Sequence, residues 1–210
     1  MSKTFIELFN KYLPTDEHAA ILDGAEIVRS RVDKEKRMIE VTVSFFKLVS
    51  KRKLYEIEDA VCQAYKIQFC KILPQYPKEL FDVDYIPEIL LEAERVGIVA
   101  KGFFGNYEYT CDENELCIRI PFVQDGISLL ERADTPRVIE KIIESEFGIR
   151  LSVRIEHDAN ISSENSDVYR EKLAEIDRQI LNAEKRYTES SFSHGTNNIT
   201  SDLIPTERIY

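Results

Sequence analysis

Lys47, Lys51, Arg52 and Lys53 form the densest cluster of positive charge in the chain, placed where a helix should begin. Such a cluster suits phosphate oxygens or an acidic partner protein, because both answer a local positive field. The alternative is a solvated helix start with no ligand. If all four cations met phosphates of a single strand, affinity would fall with salt at a slope of about −3.

Other candidates for chemistry are sparser. Asp82-Val83-Asp84 sets two carboxylates close together, but no third ligand or histidine accompanies them, so a loop with two solvated carboxylates is expected. Cys62, Cys70, Cys111 and Cys117 fit no C-x-x-C spacing. Cys111 and Cys117 would face each other across a turn, which allows a bridge or half a metal site. Buried thiols in a reducing compartment are the simpler expectation. His18, His157 and His194 are scattered and suit surface or satisfied positions. General acid–base and two-metal chemistry need convergent groups, and no His, Cys or carboxylate set has that spacing. We therefore expect no catalytic residue, no metal and no cofactor in this chain.

The elements that would carry these groups are written twice. Ile39, Val41, Val43 and Phe45 alternate with Glu40, Thr42 and Ser44, the period of a half-buried strand. Leu54, Ile57, Val61 and Ala64 then mark one face of a helix, and 67–73 returns as a strand. Shifted by 77 positions, Leu116, Ile118, Ile120 and Phe122 repeat the first strand. Val138, Ile139, Ile142 and Ile143 repeat the helix. Ile149, Leu151 and Val153 repeat the returning strand, now 82 positions beyond Ile67, Phe69 and Lys71. The added residues fall in a helical region between Gln124 and Pro136.

Ahead of the first copy, Phe5, Leu8, Phe9 and Tyr12 recur at helical spacing over 4–12. A second short helix follows Thr15, with Asp16 and Glu17 in its first turn and Gly24 as its stop. Residues 25–32 read as a strand joined to the next through Asp33-Lys34-Glu35-Lys36. Pro74-Gln75-Tyr76-Pro77 reads as a stiff linker. Beyond it, Pro87 and Gly97 bracket a helix bearing Ile89, Leu90, Ala93 and Val96, and a hairpin turns around Asp112-Glu113-Asn114. Thr135-Pro136 reads as an N-cap and first turn, with Gly148 ending that helix.

The result is an α+β chain of tandem units, α-β-β-α-β over 1–74 and α-β-β-α-α-β over 78–157. The second order is that of a type II KH domain, and the first is a shortened version. KH domains clamp nucleic-acid backbone with a G-x-x-G loop between two helices. Gly102-Phe103-Phe104-Gly105 has the spacing but opens the hairpin instead. The inter-helix position holds Arg132-Ala133-Asp134-Thr135, where Asp134 would repel phosphate. Fold order alone assigns no ligand.

From residue 158 the pattern changes. Tyr169, Leu173, Ile176 and Ile180 continue to Ala183 and Tyr187 at steps of four and three, a seam on a charged helix over 158–187. It would dock on the preceding unit or on a partner. Residues 188–210 lose all periodicity and read as a disordered tail or linker.

Charge narrows the partners. The chain carries −10 overall, divided as +2 over 1–74, −8 over 75–157 and −4 over 158–210. A nucleic-acid binder needs a basic footprint, which only the first unit could supply. No apolar run approaches the roughly 20 residues that span a bilayer, and the first twenty residues do not resemble a signal peptide. No membrane partner and a cytoplasmic location are expected.

The phrases RMIEVTVSF, KILPQYPKELF, NELCIRIPF and IEKIIESEFGIRLSVRIE, followed by a charged helix, resemble the N-terminal region of PolC-type DNA polymerase III, over roughly residues 1–187. The resemblance implies two small N-terminal domains of a bacterial replicase, the first similar to the polymerase-binding domain of the clamp-loader tau subunit, with a KH-like fold. It implies contacts with other replisome proteins and a role in DNA replication. In that family the OB, PHP, exonuclease and polymerase parts lie downstream. The resemblance thus implies a piece of a longer protein or a truncated relative. No catalytic residue of the family has a counterpart here, although the full-length family protein is an enzyme. A KH-like nucleic-acid-binding protein, using the Lys47–Lys53 cluster and stacking on Tyr107 or Tyr109, is the alternative.

Overall fold

The computed structural model describes residues 4–161 apart from 113 and 123. Its elements are α1 (Phe5–Leu8), α2 (Asp16–Leu22), β1 (Glu26–Asp33), β2 (Met38–Ser44), α3 (Lys51–Tyr65), β3 (Phe69–Gln75), α4 (Ile86–Val96), β4 (Glu108–Cys111), β5 (Glu115–Ile120), α5 (Gln124–Arg132), α6 (Thr135–Phe147) and β6 (Ser152–His157). Two short 3₁₀ turns, Lys78–Leu80 and Val83–Tyr85, precede α4. The fold is α+β, with two small mixed sheets.

Each sheet has three strands, in the orders β1-β2-β3 and β4-β5-β6. In both, an antiparallel pair is followed by a helical crossover to a parallel third strand. Parallel neighbours cannot be joined by a tight turn, so α3 in one sheet and α5–α6 in the other supply the connection. The alternating residues explain which face is covered. Val41 and Val43 are wholly buried, as are Leu54, Ile57 and Val61 of the α3 stripe to within 1%, and Leu116, Ile118 and Ile120 are buried in the second sheet.

The register corrects the repeat. Cys70 and Ile72 pair with Ile39 and Val41, while Val153 and Ile155 pair with Leu116 and Ile118. The returning strands therefore correspond at 83 positions, not 82. A one-residue slip exchanges the two faces of a strand. Aligning Phe69 and Lys71 with Leu151 and Val153 had matched outward residues to inward ones, and Phe69 is in fact 54% exposed.

Local stops and starts have visible causes. Thr4 and Glu7 form a reciprocal capping box, but α1 ends at Leu8, so the helix expected over 4–12 is shorter than its periodicity. The apolar spacing instead serves a ring cluster, with Phe5 packed on Phe9 and Tyr12. Gly24 and Gly148 follow α2 and α6 at positive φ, 71° and 67°. The cap of α6 is Asp134, at φ 55°, and Thr135 is already its first residue. Pro74 and Gln75 complete β3 and Tyr76 is buried, so the expected linker is largely part of the fold.

Both sheets protect one edge in the same way. Glu58 on α3 accepts the Ile72 N–H at 2.6 Å, and Glu140 on α6 accepts the Val153 N–H at 2.9 Å. A helix carboxylate thus occupies one outward N–H of β3 and of β6, a group that would otherwise invite another strand. Among the described residues no helix is long and apolar enough to cross a membrane.

Candidate functional site

The expected cation cluster divides on folding. Lys51 is buried and ion-paired with Glu146 at the end of α6, so it is unavailable to a ligand. Its exposure, assumed from charge, is corrected by that distant partner. Lys53 lies between Glu17 and Glu56 at 3.0 and 2.9 Å. Lys47 is exposed and donates through Nζ to the Ala20 carbonyl at 2.7 Å. Arg52 is exposed and forms no ion pair among the described residues.

The start of α3 is also occupied. Helix N-termini attract anions through their free N–H groups. Here Glu88 of α4 supplies the anion, accepting from the Lys51 N–H at 2.6 Å and approaching the Ser50 hydroxyl at 3.4 Å. A phosphate would have to displace this carboxylate.

Lys51 and Glu88 belong to a junction between α3, α4 and α6. Tyr55 donates to Glu92 at 2.6 Å, and Lys71 lies 3.6 Å from the other Glu92 oxygen. Arg95 stacks over the Tyr55 ring and pairs with Glu58 at 2.5 Å. Beside these polar contacts, Phe147 packs on Tyr76, Phe81 and Tyr85 at centroid distances of 5.1, 5.2 and 5.7 Å. Tyr85 donates to the Val49 carbonyl at 2.8 Å, which ties the ring cluster to the strand-to-helix connection.

Burial pushes the Glu146 carboxyl up to about 7, against the pull of Lys51. The other Glu146 oxygen is buried and has no partner among the described residues, so water is lost without full replacement. The folded state therefore holds this proton at pH values where the unfolded chain has released it. Its contribution is fully present below pH 4.5 and is lost as pH rises through about 7. Denaturant unfolding at pH 5 and pH 8 should show wild type losing stability relative to Glu146→Gln, on the order of 1 kcal/mol per pH unit at the steepest. Parallel pH profiles for the two proteins would refute the assignment.

A groove of about 370 Å³ lies beside the junction, lined by Arg52, Glu88, Leu91, Glu94, Phe104 and Tyr107 among others. Glu94 accepts from the Gly102 and Phe104 N–H groups at 2.9 and 3.4 Å, so the Gly-Phe-Phe-Gly segment is a loop fastened to α4. Tyr107 lies 6.1 Å from Tyr109, tilted by 31°. The groove combines one guanidinium with two carboxylates already engaged by backbone, and it holds no nucleophile–base pair.

Asp82 accepts from the Asp84 N–H at 2.9 Å and so shapes a turn. Among the described residues no group of three or more His, Cys, Asp or Glu side chains could hold a metal ion. All four cysteines are free, and Cys111 is paired with Leu116, not Cys117, across the hairpin. Burial raises the thiol of Cys70 to about 12, which disfavours the reactive thiolate. His18 is a satisfied histidine, 2.7 Å from the Tyr12 hydroxyl. The seam residues Tyr169, Leu173, Ile176 and Ile180 lie outside the described residues.

Three junction carboxylates, Glu58, Glu88 and Glu146, were missed in the sequence. Two had a signal there. Glu58 follows Leu54 by four, and Glu146 follows Ile139, Ile142 and Ile143 on the same helical stripe, so each places a charge on an apolar face. Comparison with family models, curated proteins and solved structures finds no match in any of the three.

Proposed function

We propose that this chain is a non-catalytic interaction module of a bacterial replicative polymerase of the PolC type, serving DNA replication in the cytoplasm through contacts with other replisome proteins. The sequence resemblance suggests the family. The observation that carries the module reading over nucleic-acid binding is the internal use of the cation cluster. Lys51 is consumed by Glu146, Lys53 by two glutamates, and the α3 N-terminus by Glu88. No convergent acid, base and nucleophile set accompanies them among the described residues, which supports a binding role over chemistry.

The second reading, a KH-like nucleic-acid-binding protein, is favoured by the α-β-β-α-α-β order of the second half and its parallel third strand. Asp134, in the left-handed region between α5 and α6, stands where that family needs a glycine loop that can approach phosphate.

Two measurements separate the readings. Surface plasmon resonance with purified bacterial clamp, clamp-loader, helicase and single-strand-binding proteins should find a partner for the chain. Single-stranded DNA should bind weakly and without sequence preference. Only Lys47 and Arg52 remain of the original cluster, so replacing both with Ala should change the salt slope by at most about 1.4. Sequence-specific, submicromolar DNA affinity persisting at 200 mM salt, with no replisome protein bound, would overturn the module reading in favour of the second.

A further inference from the structure

The four outer edges of the two sheets are treated differently. Those of β3 and β6 each have one N–H taken by a helix carboxylate, Glu58 and Glu140, and β4 has only four residues. β1 is eight residues long and is met only near its start, by a bridge between Thr4 and Glu26. Among the described residues nothing pairs with its outer side beyond that point. Val28 and Val32 on this strand are 58% and 60% exposed.

Cross-strand partners share a face, so the register sorts the β1 side chains. Ser30 and Val32 face the same side as the inward Val41 and Ile39, whereas Arg29 and Arg31 face outward beside Thr42 and Glu40. Lys34 and Lys36 continue the charge into the turn. Among the described residues none of these four cations is in an ion pair, unlike Lys51 and Lys53.

We propose that the β1 edge receives an extended segment of a partner protein that alternates acidic and apolar residues. Added as a fourth strand, its backbone would satisfy the free N–H and C=O groups of β1. Its acidic side chains would lie beside Arg29 and Arg31, and its apolar ones beside Val32. A second copy of this chain fits poorly: antiparallel pairing about Ser30 would set Arg29 against Arg31, and like charges directly opposite are destabilising. Nucleic acid would answer the arginines but has no use for the free amide edge or for the exposed Val28 and Val32 that flank them. This proposal rests on the protein-interaction reading above and specifies its surface.

The test uses the whole chain, isotope-labelled for NMR, titrated to about 1 mM with an acetylated, amidated peptide of alternating Glu and Val; a Lys–Val peptide is the control. We expect shifts centred on 26–33, slowed amide exchange on β1, and preference for the Glu–Val peptide. Arg29→Glu with Arg31→Glu should weaken that peptide by about tenfold and favour the Lys–Val one. Val32→Lys, an exposed change that should leave the fold intact, should weaken both. Absence of β1 shifts, an unchanged preference after charge reversal, peptide-free dimerisation through β1, or displacement of the peptide by a single-stranded oligonucleotide would overturn the proposal. If the peptide binds β1 but no replisome protein binds the chain, the edge stands and the replicase assignment fails. If a replisome protein binds equally well to the β1 variants, the assignment stands and the edge fails.

Discussion

Glu146→Leu alone should destabilise the chain at pH 7 by about 3–5 kcal/mol, because it leaves the Lys51 ammonium buried without a counter-charge. Lys51 has no route to water, since its side chain is only 2% exposed. Lys51→Met together with Glu146→Leu should recover most of the loss or exceed wild type, since two apolar side chains of similar size avoid desolvating either charge. Lys51→Met alone should cost less at pH 5 than at pH 8, because a lone Glu146 can take up a proton and bury itself neutral. Urea unfolding of the four proteins at both pH values checks the set. If the double variant is as unstable as the sum of the singles, the pair is not coupled and the junction has been misread.

Phe147→Ala should cost about 3–5 kcal/mol, the range for emptying a buried aromatic site. Phe147 is 3% exposed and touches Tyr76, Phe81 and Tyr85, which come from the end of β3 and the turns before α4. Each half of the described unit is small, and a unit of this size is marginal alone. Loss of the ring that joins them should therefore lower the stability of both sheets together, in one transition. Leu13→Ala, at a position 88% exposed, should stay within about 0.5 kcal/mol of wild type. Equal effects of the two substitutions would mean that Phe147 is not the anchor of the junction.

Both predictions concern contacts that join residues remote in the chain. Lys51 and Glu146 are 95 positions apart, so no local pattern could match them. Charge placed Lys51 on the surface. Its position three before Leu54, at the edge of the apolar stripe, was the weaker signal that folding followed. The same holds for β3. Periodicity recognised a strand near Ile67, but only pairing with β2 set Cys70 and Ile72 inward and turned Phe69 to solvent.

Elements whose causes are local were legible in the residues. Alternation over β2 and β5 requires half-buried strands, the stripe of α3 requires a helix, and glycine at positions 24 and 148 permits the positive φ that ends α2 and α6. The α+β class was legible as well, because strand and helix periods follow one another along the chain, whereas strand direction came only from the pairing. Which charges stay free depended on long-range packing. An exposed lysine and a buried one have the same sequence signature; what separates them is a carboxylate brought within reach by packing, whose attraction offsets the loss of water. That is why Lys51 became part of the junction, while Arg52 at the same helix start, and Arg29 and Arg31 beside an open strand edge, remained at the surface.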